Sequence, residues 1–297
     1  MDPRILARLR CPVCGEPLAE TTAGTARALR CPRRHSFDIA RQGYVNLLAG
    51  RAPHTGDSAE MVAARTDFLD AGHYDTVATA LAAAATKIVS GTARTGDTGP
   101  ADGDGSAYPL VVDAGAGTGW YLAAVLAALP DAVGLALDVA KPAVRRAARA
   151  HPRAAAALAD TWQRLPLADR SAAVLLNVFA PRNGAEFHRV LDSAGALLVV
   201  TPTADHLAEL VDALDLLRVD PAKADRVAGS LGAHFTEESA TVHRARLRLS
   251  RTEVTTLVGM GPSAWHADPA RLAERIAALP EPVPVTLAVR LAVHRPR

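Results

Sequence analysis

At 297 residues, 49% of them hydrophobic, the chain is long enough to bury the core of one large domain and a smaller one, and a net charge of +2 does not mark it as a general polyanion binder. Apolar stretches such as Ala80–Ala85 and Ala194–Thr201 fall far short of the roughly eighteen residues of a membrane span, and Met1-Asp-Pro-Arg4 opens no apolar signal segment, so no membrane partner is expected and the compartment is expected to be cytoplasmic. The charge is unevenly spread. Residues 1–50 hold eight Arg against Asp2, Glu16, Glu20 and Asp38, a balance of +4 that leaves −2 for the remainder and biases the N-terminal segment towards a polyanion.

All three cysteines lie in that segment, as Cys11-Pro-Val-Cys14 and Cys31-Pro-Arg-Arg-His35. Two such knuckles put soft donors on tight turns that can converge on one tetrahedral ion, so Cys11, Cys14, Cys31 and His35 form a candidate Cys₃His zinc site. Four protein ligands leave no open position, which makes the metal structural. The alternative is three free thiols or a redox pair. A segment of about fifty residues with few large apolar side chains, chiefly Phe37, Ile39, Tyr44, Val45, Leu47 and Leu48, needs such a staple to fold. Beyond it, Ser58 can cap a helix that carries Met61, Val62, Arg65, Phe68 and Leu69 along one face and ends at Gly72; it is expected to form an arm between two domains.

These motifs in this order carry a specific resemblance. Cys11-Pro-x-Cys14, then Cys31-Pro-x-x-His35-x-Phe37-Asp38-x-Ala40-x-x-Gly43-Tyr44-Val45-Asn46-Leu47-Leu48, then Gly56-Asp57-Ser58-Ala59-Glu60-Met61 and Phe68-Leu69-Asp70-Ala71-Gly72-His73-Tyr74, together resemble the 23S ribosomal RNA guanine-N1 methyltransferases, some of which confer resistance to tylosin-type macrolides. The resemblance implies a class I S-adenosylmethionine-dependent enzyme: an α/β protein with a seven-stranded doubly wound, Rossmann-like sheet and a small N-terminal zinc-binding domain. It further implies RNA recognition by residues 1–50, a connecting arm over 51–75 and a methyltransferase domain over 76–297. Glu60 and Tyr74 become candidate cofactor contacts, a 23S rRNA hairpin the partner, and a homodimer one assembly to test.

Ser90–Pro109, rich in Gly, Thr, Asp, Ala and Pro, reads as a flexible surface insertion. At Leu110 an apolar run stops at Asp113, Gly115, Gly117 and Gly119 follow, and a helical pattern opens with Trp120, Leu122, Val125 and Leu126. A dinucleotide fingerprint would want its third glycine at position 120, where Trp stands, so a bound NAD or FAD is disfavoured. The spacing resembles instead the first motif of class I methyltransferases, with Asp113, Gly115, Gly117, Thr118 and Gly119 against the cofactor. From here strand and helix alternate, as in a parallel sheet covered on both faces. Strand two, Val133–Asp138, ends in an acid suited to the ribose hydroxyls, unless Asp138 caps the helix Lys141–Ala150; strand three, Ala157–Asp160, puts a second acid near the adenine.

Strand four, Ala172–Phe179, runs into Ala180-Pro181; Asn177 is either a cofactor-site residue or a strand-end turn residue. Strand five, Ala196–Pro202, precedes a helix holding His206, Leu207, Leu210, Val211 and Leu214. Thr201-Pro-x-x-x-His206-Leu resembles a family segment near the cofactor, against the plain alternative of a surface histidine. Ala245–Ser250, Thr252–Val258, Met260–Trp265 and Val285–Val293 are expected to supply strands six and seven, the first as an edge, with Trp265 either lining a base pocket or packing.

Cysteine use narrows the chemistry. Methylation at carbon 5 of a pyrimidine needs a Cys nucleophile, and on the zinc reading every Cys is committed to the metal; a radical route needs three cysteines in a cluster spacing that is absent. Transfer to guanine N1 needs an acceptor for the N1 proton, which the sequence does not identify, and the target base has to be splayed out of its hairpin. A small-molecule methyltransferase and a catalytically silent RNA-binding protein are the competing readings.

Overall fold

The computed structural model describes residues 1–23, 26–50, 56–95, 108–216, 229–261 and 268–297. A short helix α1 (Pro3–Leu6) leads into the first cysteine knuckle, after which β1 (Ala19–Ala23), β2 (Ala26–Arg30) and β3 (Ser36–Asp38) form a small antiparallel sheet. The second knuckle is the turn between β2 and β3. The chain then lays down β4 (Val45–Asn46) before α2 (Ala59–Asp70) and α3 (Asp75–Thr95). Ser58 caps α2 by accepting from Met61 N at 3.2 Å, a contact of about 1 kcal/mol, and Gly72 at φ +81° breaks it off.

The large sheet alternates as expected: β5 (Leu110–Ala114), α4 (Trp120–Ala128), β6 (Val133–Asp138), α5 (Lys141–Ala147), β7 (Ala154–Leu158), β8 (Ala172–Val178), α6 (Gly184–Val190), β9 (Leu191–Pro202) and α7 (Ala208–Leu214). A long hairpin of β10 (Phe235–Leu249) and β11 (Val283–Pro296) completes it, the two strands enclosing α8 (Arg251–Gly259) and α9 (Pro269–Ala277). The strand order is β10-β11-β9-β8-β5-β6-β7-β4, with β4 to β9 parallel to one another and β11 antiparallel to β9.

Seven of these strands, β5 to β11, match the seven that the resemblance implies. The eighth, β4, comes from the N-terminal segment and pairs with β7 through Val45↔Ala157 and Asn46↔Leu158. One face of the sheet buries Val111, Ala136, Val174, Leu176, Leu198 and Val200 against α3, α4, α5 and α7. On the other face Leu110, Val112, Leu135, Leu137, Leu175 and Leu197 share a core with Phe187 and Val190 of α6 and with Ile5, Leu9, Leu29, Cys11 and Cys31. The zinc-binding segment thus supplies part of the second apolar layer, and its backbone is stitched on by Arg10 N to Pro166 O (3.0 Å) and Ala168 N to Arg8 O (2.9 Å).

Several sequence expectations change. Thr252–Val258 is the core of a helix, α8, because Ser250 and Glu253 form a reciprocal capping box that closes its first turn. Helix α3 runs to Thr95 and takes in the first six residues of the stretch read as an insertion, while 96–107 lie outside the described residues, as do Trp265 and residues 51–55. Helix α5 stops at Ala147, and β8 stops at Val178 because Phe179 takes φ +54°. His206 sits in the turn before α7, whose N-cap Leu207 is itself left-handed.

Candidate functional site

The four predicted metal ligands converge. One ligand atom from each of Cys11, Cys14, Cys31 and His35 lies within 4.8 Å of the others. Bonds of about 2.3 Å to sulfur and 2.0–2.1 Å to nitrogen set tetrahedral edges of about 3.8 Å between sulfurs and about 3.6 Å from sulfur to nitrogen. The structure has Cys14 Sγ to Cys31 Sγ at 3.7 Å, and His35 Nδ1 to Cys31 and Cys11 Sγ at 3.4 and 3.5 Å. These edges fit zinc, and no disulfide competes for the thiols. The knuckles are held from behind by Gly15 N to Cys11 O (2.8 Å) and Arg34 N to Cys31 O (2.9 Å).

The second site lies where the chain reverses its direction across the sheet. From β5 the chain moves outward to β6 and β7, then returns to place β8 on the other side of β5, and the crevice beyond the carboxyl ends of that strand pair is where open α/β sheets hold ligands. Gly115, Gly117 and Gly119 all have positive φ there, at +82°, +55° and +77°. A Cβ on Gly115 would overlap that of Ala180 at the end of β8, so glycine lets the two strand-end loops touch. Thr118, between the last two glycines, is buried.

Two acids face this loop. Asp138 spans it, accepting from Gly117 N with Oδ2 and from Ala140 N with Oδ1, both at 2.8 Å. It therefore ties the glycine loop to the turn before α5, whose N-cap is Ala140 with no side-chain cap, so Asp138 does not cap that helix. Burial raises its pKa, opposed by those N–H groups. Asp113 is 1% exposed, and neither of its oxygens has a partner among the described residues. Burial, and secondarily the Asp138 carboxylate, push it up to about 8. A buried acid pair of this kind favours a cationic ligand, and the ammonium and sulfonium of S-adenosylmethionine meet that demand.

Tyr74 and His206 meet at 3.4 Å between hydroxyl and Nε2. Ala288 N donates to His206 Nδ1 at 3.2 Å, so in the neutral ring the proton belongs on Nε2, directed at Tyr74. Burial raises the Tyr74 phenol well above its usual range. Asp160 is buried two residues beyond β7, accepting from Trp162 N at 2.9 Å, with no partner for its other oxygen among the described residues. Asn177 is fully buried and braces the crevice, donating to Ala114 O (3.1 Å) and Pro181 O (2.8 Å). Glu60 stands apart from this set, exposed on the first turn of α2 beside its own backbone N–H and the Ser58 hydroxyl.

Arg65 was read from sequence only as one position on the α2 face, yet it crosses the crevice. Its Nη1 pairs with Asp57, its Nη2 donates to Met260 O at 2.9 Å, and Nη1 lies 3.4 Å from where a Gly117 Cβ would be. A guanidinium within an apolar stripe of Met61, Phe68 and Leu69 was the signal available. Phe179 was likewise passed over as a strand residue, although it is exposed and in ring contact with both Tyr74 and His206.

Comparison with known proteins agrees with this geometry. Residues 9–52 match the family model described as "RlmA, N-terminal", a zinc ribbon. Over its full length the chain is 68% identical to a Micromonospora griseorubida protein assigned as a 23S rRNA (guanine-N(1)-)-methyltransferase, with all of both chains covered. It is 51% identical to the 23S rRNA (guanine(748)-N(1))-methyltransferase of Streptomyces fradiae, covering 100% of this chain and 99% of that one. A Bacillus subtilis relative, YxjB, assigned the same guanine-N1 activity, is 32% identical over 87% of each. The chain belongs to the 23S rRNA (guanine-N1) methyltransferase family.

Proposed function

We propose that this protein moves a methyl group from S-adenosylmethionine to N1 of a guanine in a hairpin loop of 23S rRNA, and that resistance to tylosin-type macrolides is the outcome in the cell. The observation that carries this reading is the buried acid Asp113, without a partner among the described residues, beside a glycine loop at the switch point of a sheet that also carries a basic zinc ribbon. The cofactor supplies an electrophilic methyl on a sulfonium. Asp113 would hold its ammonium, Arg65 its carboxylate, Asp138 the ribose and Asp160 the adenine, with the backbone of 115–119 along the chain between. Tyr74 and His206 line the side towards the acceptor. In-line displacement rewards alignment in a dry pocket above all, and the packed α2 arm with Arg65 across the crevice serves that exclusion of water. An rRNA substrate makes the cytosol the working compartment; no helix among the described residues is long and apolar enough to cross a membrane. A second copy of the chain is the candidate protein partner.

Tritiated methyl transfer to rRNA from a strain lacking the modification, followed by mapping of the labelled nucleotide, tests the reading. Label at N1 of a single 23S guanine is the expected result. Label on a small molecule only, or RNA binding with no transfer, would replace it with one of the competing readings.

A further inference from the structure

We propose that Phe179 is the stacking shelf for the target guanine, a role that rests on the RNA guanine activity above. Aromatic residues make up 4% of the chain and the hydrophobic residues of β8 before it are almost all buried, yet Phe179, the next residue, is 40% exposed. Its backbone is at φ +54°, a left-handed conformation that bulky side chains rarely hold and that persists only where the surroundings enforce it. Here they do. Phe179 N donates to Val200 O at 3.1 Å, Asn177 Nδ2 ties the following turn through Pro181 O, and Ala180 is pressed against Gly115. The turn cannot relax without loosening the glycine loop, so the ring is presented outward by the same contacts that shape the cofactor crevice.

The ring is supported from within and open without. His206 lies nearly parallel to it, 24° between planes and 6.1 Å between centroids, and Tyr74 is tilted against it at 6.3 Å. An exposed aromatic alone is ordinary surface. One held in a disfavoured conformation, backed by two further rings, at the mouth of the switch-point crevice is suited to receive a flat ligand. An unstacked RNA base is such a ligand, since splayed bases are held on aromatic faces. Stacking engages the faces of the guanine and leaves its edge, with N1, free to meet the methyl group. The shelf is indifferent to which base it holds, so selection of guanine belongs to other groups.

The test compares full-length, zinc-loaded wild type with Phe179→Leu and Phe179→Tyr on unmodified 23S rRNA. A contact formed only after the base is splayed out of its hairpin loop acts on kcat, not on RNA binding. The Leu variant is expected to lose about tenfold to a hundredfold in kcat, the usual scale for one base–aromatic stack, with RNA KM and S-adenosylhomocysteine Kd within about threefold of wild type. The Tyr variant, which keeps the π-face, should stay within about threefold in kcat. A Leu variant as fast as wild type, a Tyr variant as slow as Leu, or a loss of S-adenosylhomocysteine affinity in proportion to kcat would each overturn the shelf while leaving the activity intact. Wild-type protein that methylates no guanine would overturn the activity and the shelf with it.

Discussion

Replacing Asp113 by Asn should make the cofactor-free protein less sensitive to pH while crippling its hold on the cofactor. In the folded chain Asp113 keeps its proton to about pH 8, whereas in an unfolded chain the carboxyl loses it near 3.8. The folded state therefore binds the extra proton across that window, and the stability this group contributes at low pH is lost progressively as pH rises through it. One proton corresponds to about 1.4 kcal/mol per pH unit, so between pH 5 and 7 Asp113 should remove on the order of 2–3 kcal/mol from the cofactor-free protein, roughly 5 °C in Tm for a chain of this size. Asn has nearly the same shape and no proton to exchange. Urea unfolding of zinc-loaded protein at pH 5, 6 and 7 should give a profile flatter by that amount in Asp113→Asn. Cofactor binding reverses the balance, because facing an ammonium Asp113 has to give up its proton. Wild-type affinity for S-adenosylhomocysteine should climb by up to about tenfold per unit of pH below 8, and the Asn variant should bind weakly with no such climb. Parallel stability profiles for wild type and Asn would refute the buried acid as described.

Arg65→Met should weaken S-adenosylhomocysteine by about tenfold or more, the scale of a hydrogen bond to a charged group, yet leave 5′-methylthioadenosine, which has no carboxylate, within about threefold; calorimetry on both ligands decides, and equal losses would mean that Arg65 only holds the α2 arm in place. Metal analysis should return one zinc per chain, falling below about half an equivalent in Cys14→Ser because the tetrahedron loses a corner. Arg33, its side chain 67% exposed with a 3.8 Å contact to Glu16, and the exposed Arg34 in the second knuckle are placed to meet phosphates. Changing both to Gln should flatten the salt dependence of RNA binding by up to about two units of slope with cofactor affinity unchanged, and an unaltered slope would direct attention to the α2 arm.

What could be read from sequence was local. The cysteine spacing, the Asp113–Gly119 loop, the Ser58 cap and Asp138 at the end of its strand each depend on a few neighbouring residues, and the structure places them as expected, whereas β7 runs over Ala154–Leu158 and leaves Asp160, read as closing it, two residues beyond. What could not be read depended on distant partners. Arg65 gains its position from Asp57, Met260 and Gly117, the last two far along the chain, and Phe179 looked like one more strand residue until its backbone was seen to turn. Thr252–Val258 misled for a different reason: its β-branched residues favour extension, and a capping box at Ser250 decided for helix. The two residues of β4 carried no strand signal at all, because their pairing is supplied by β7.

That pairing bears on how the protein survives in the cell. A parallel sheet that ended at β7 would present a row of unpaired amides beside an alanine-rich strand, a template for another chain to join. The opposite border, β10, is guarded by Glu237, Glu238, Arg244, Arg246 and Arg248, whereas β7 has no charge of its own and relies on Val45 and Asn46 for cover. Since those two residues follow directly on the metal-stapled segment, a newly made chain deprived of zinc is at risk of coalescing with its neighbours before it ever meets a ribosome. Metal supply would then set the yield of soluble enzyme, and filtration of lysates from zinc-starved cells should find the chain in aggregates rather than as an inactive monomer.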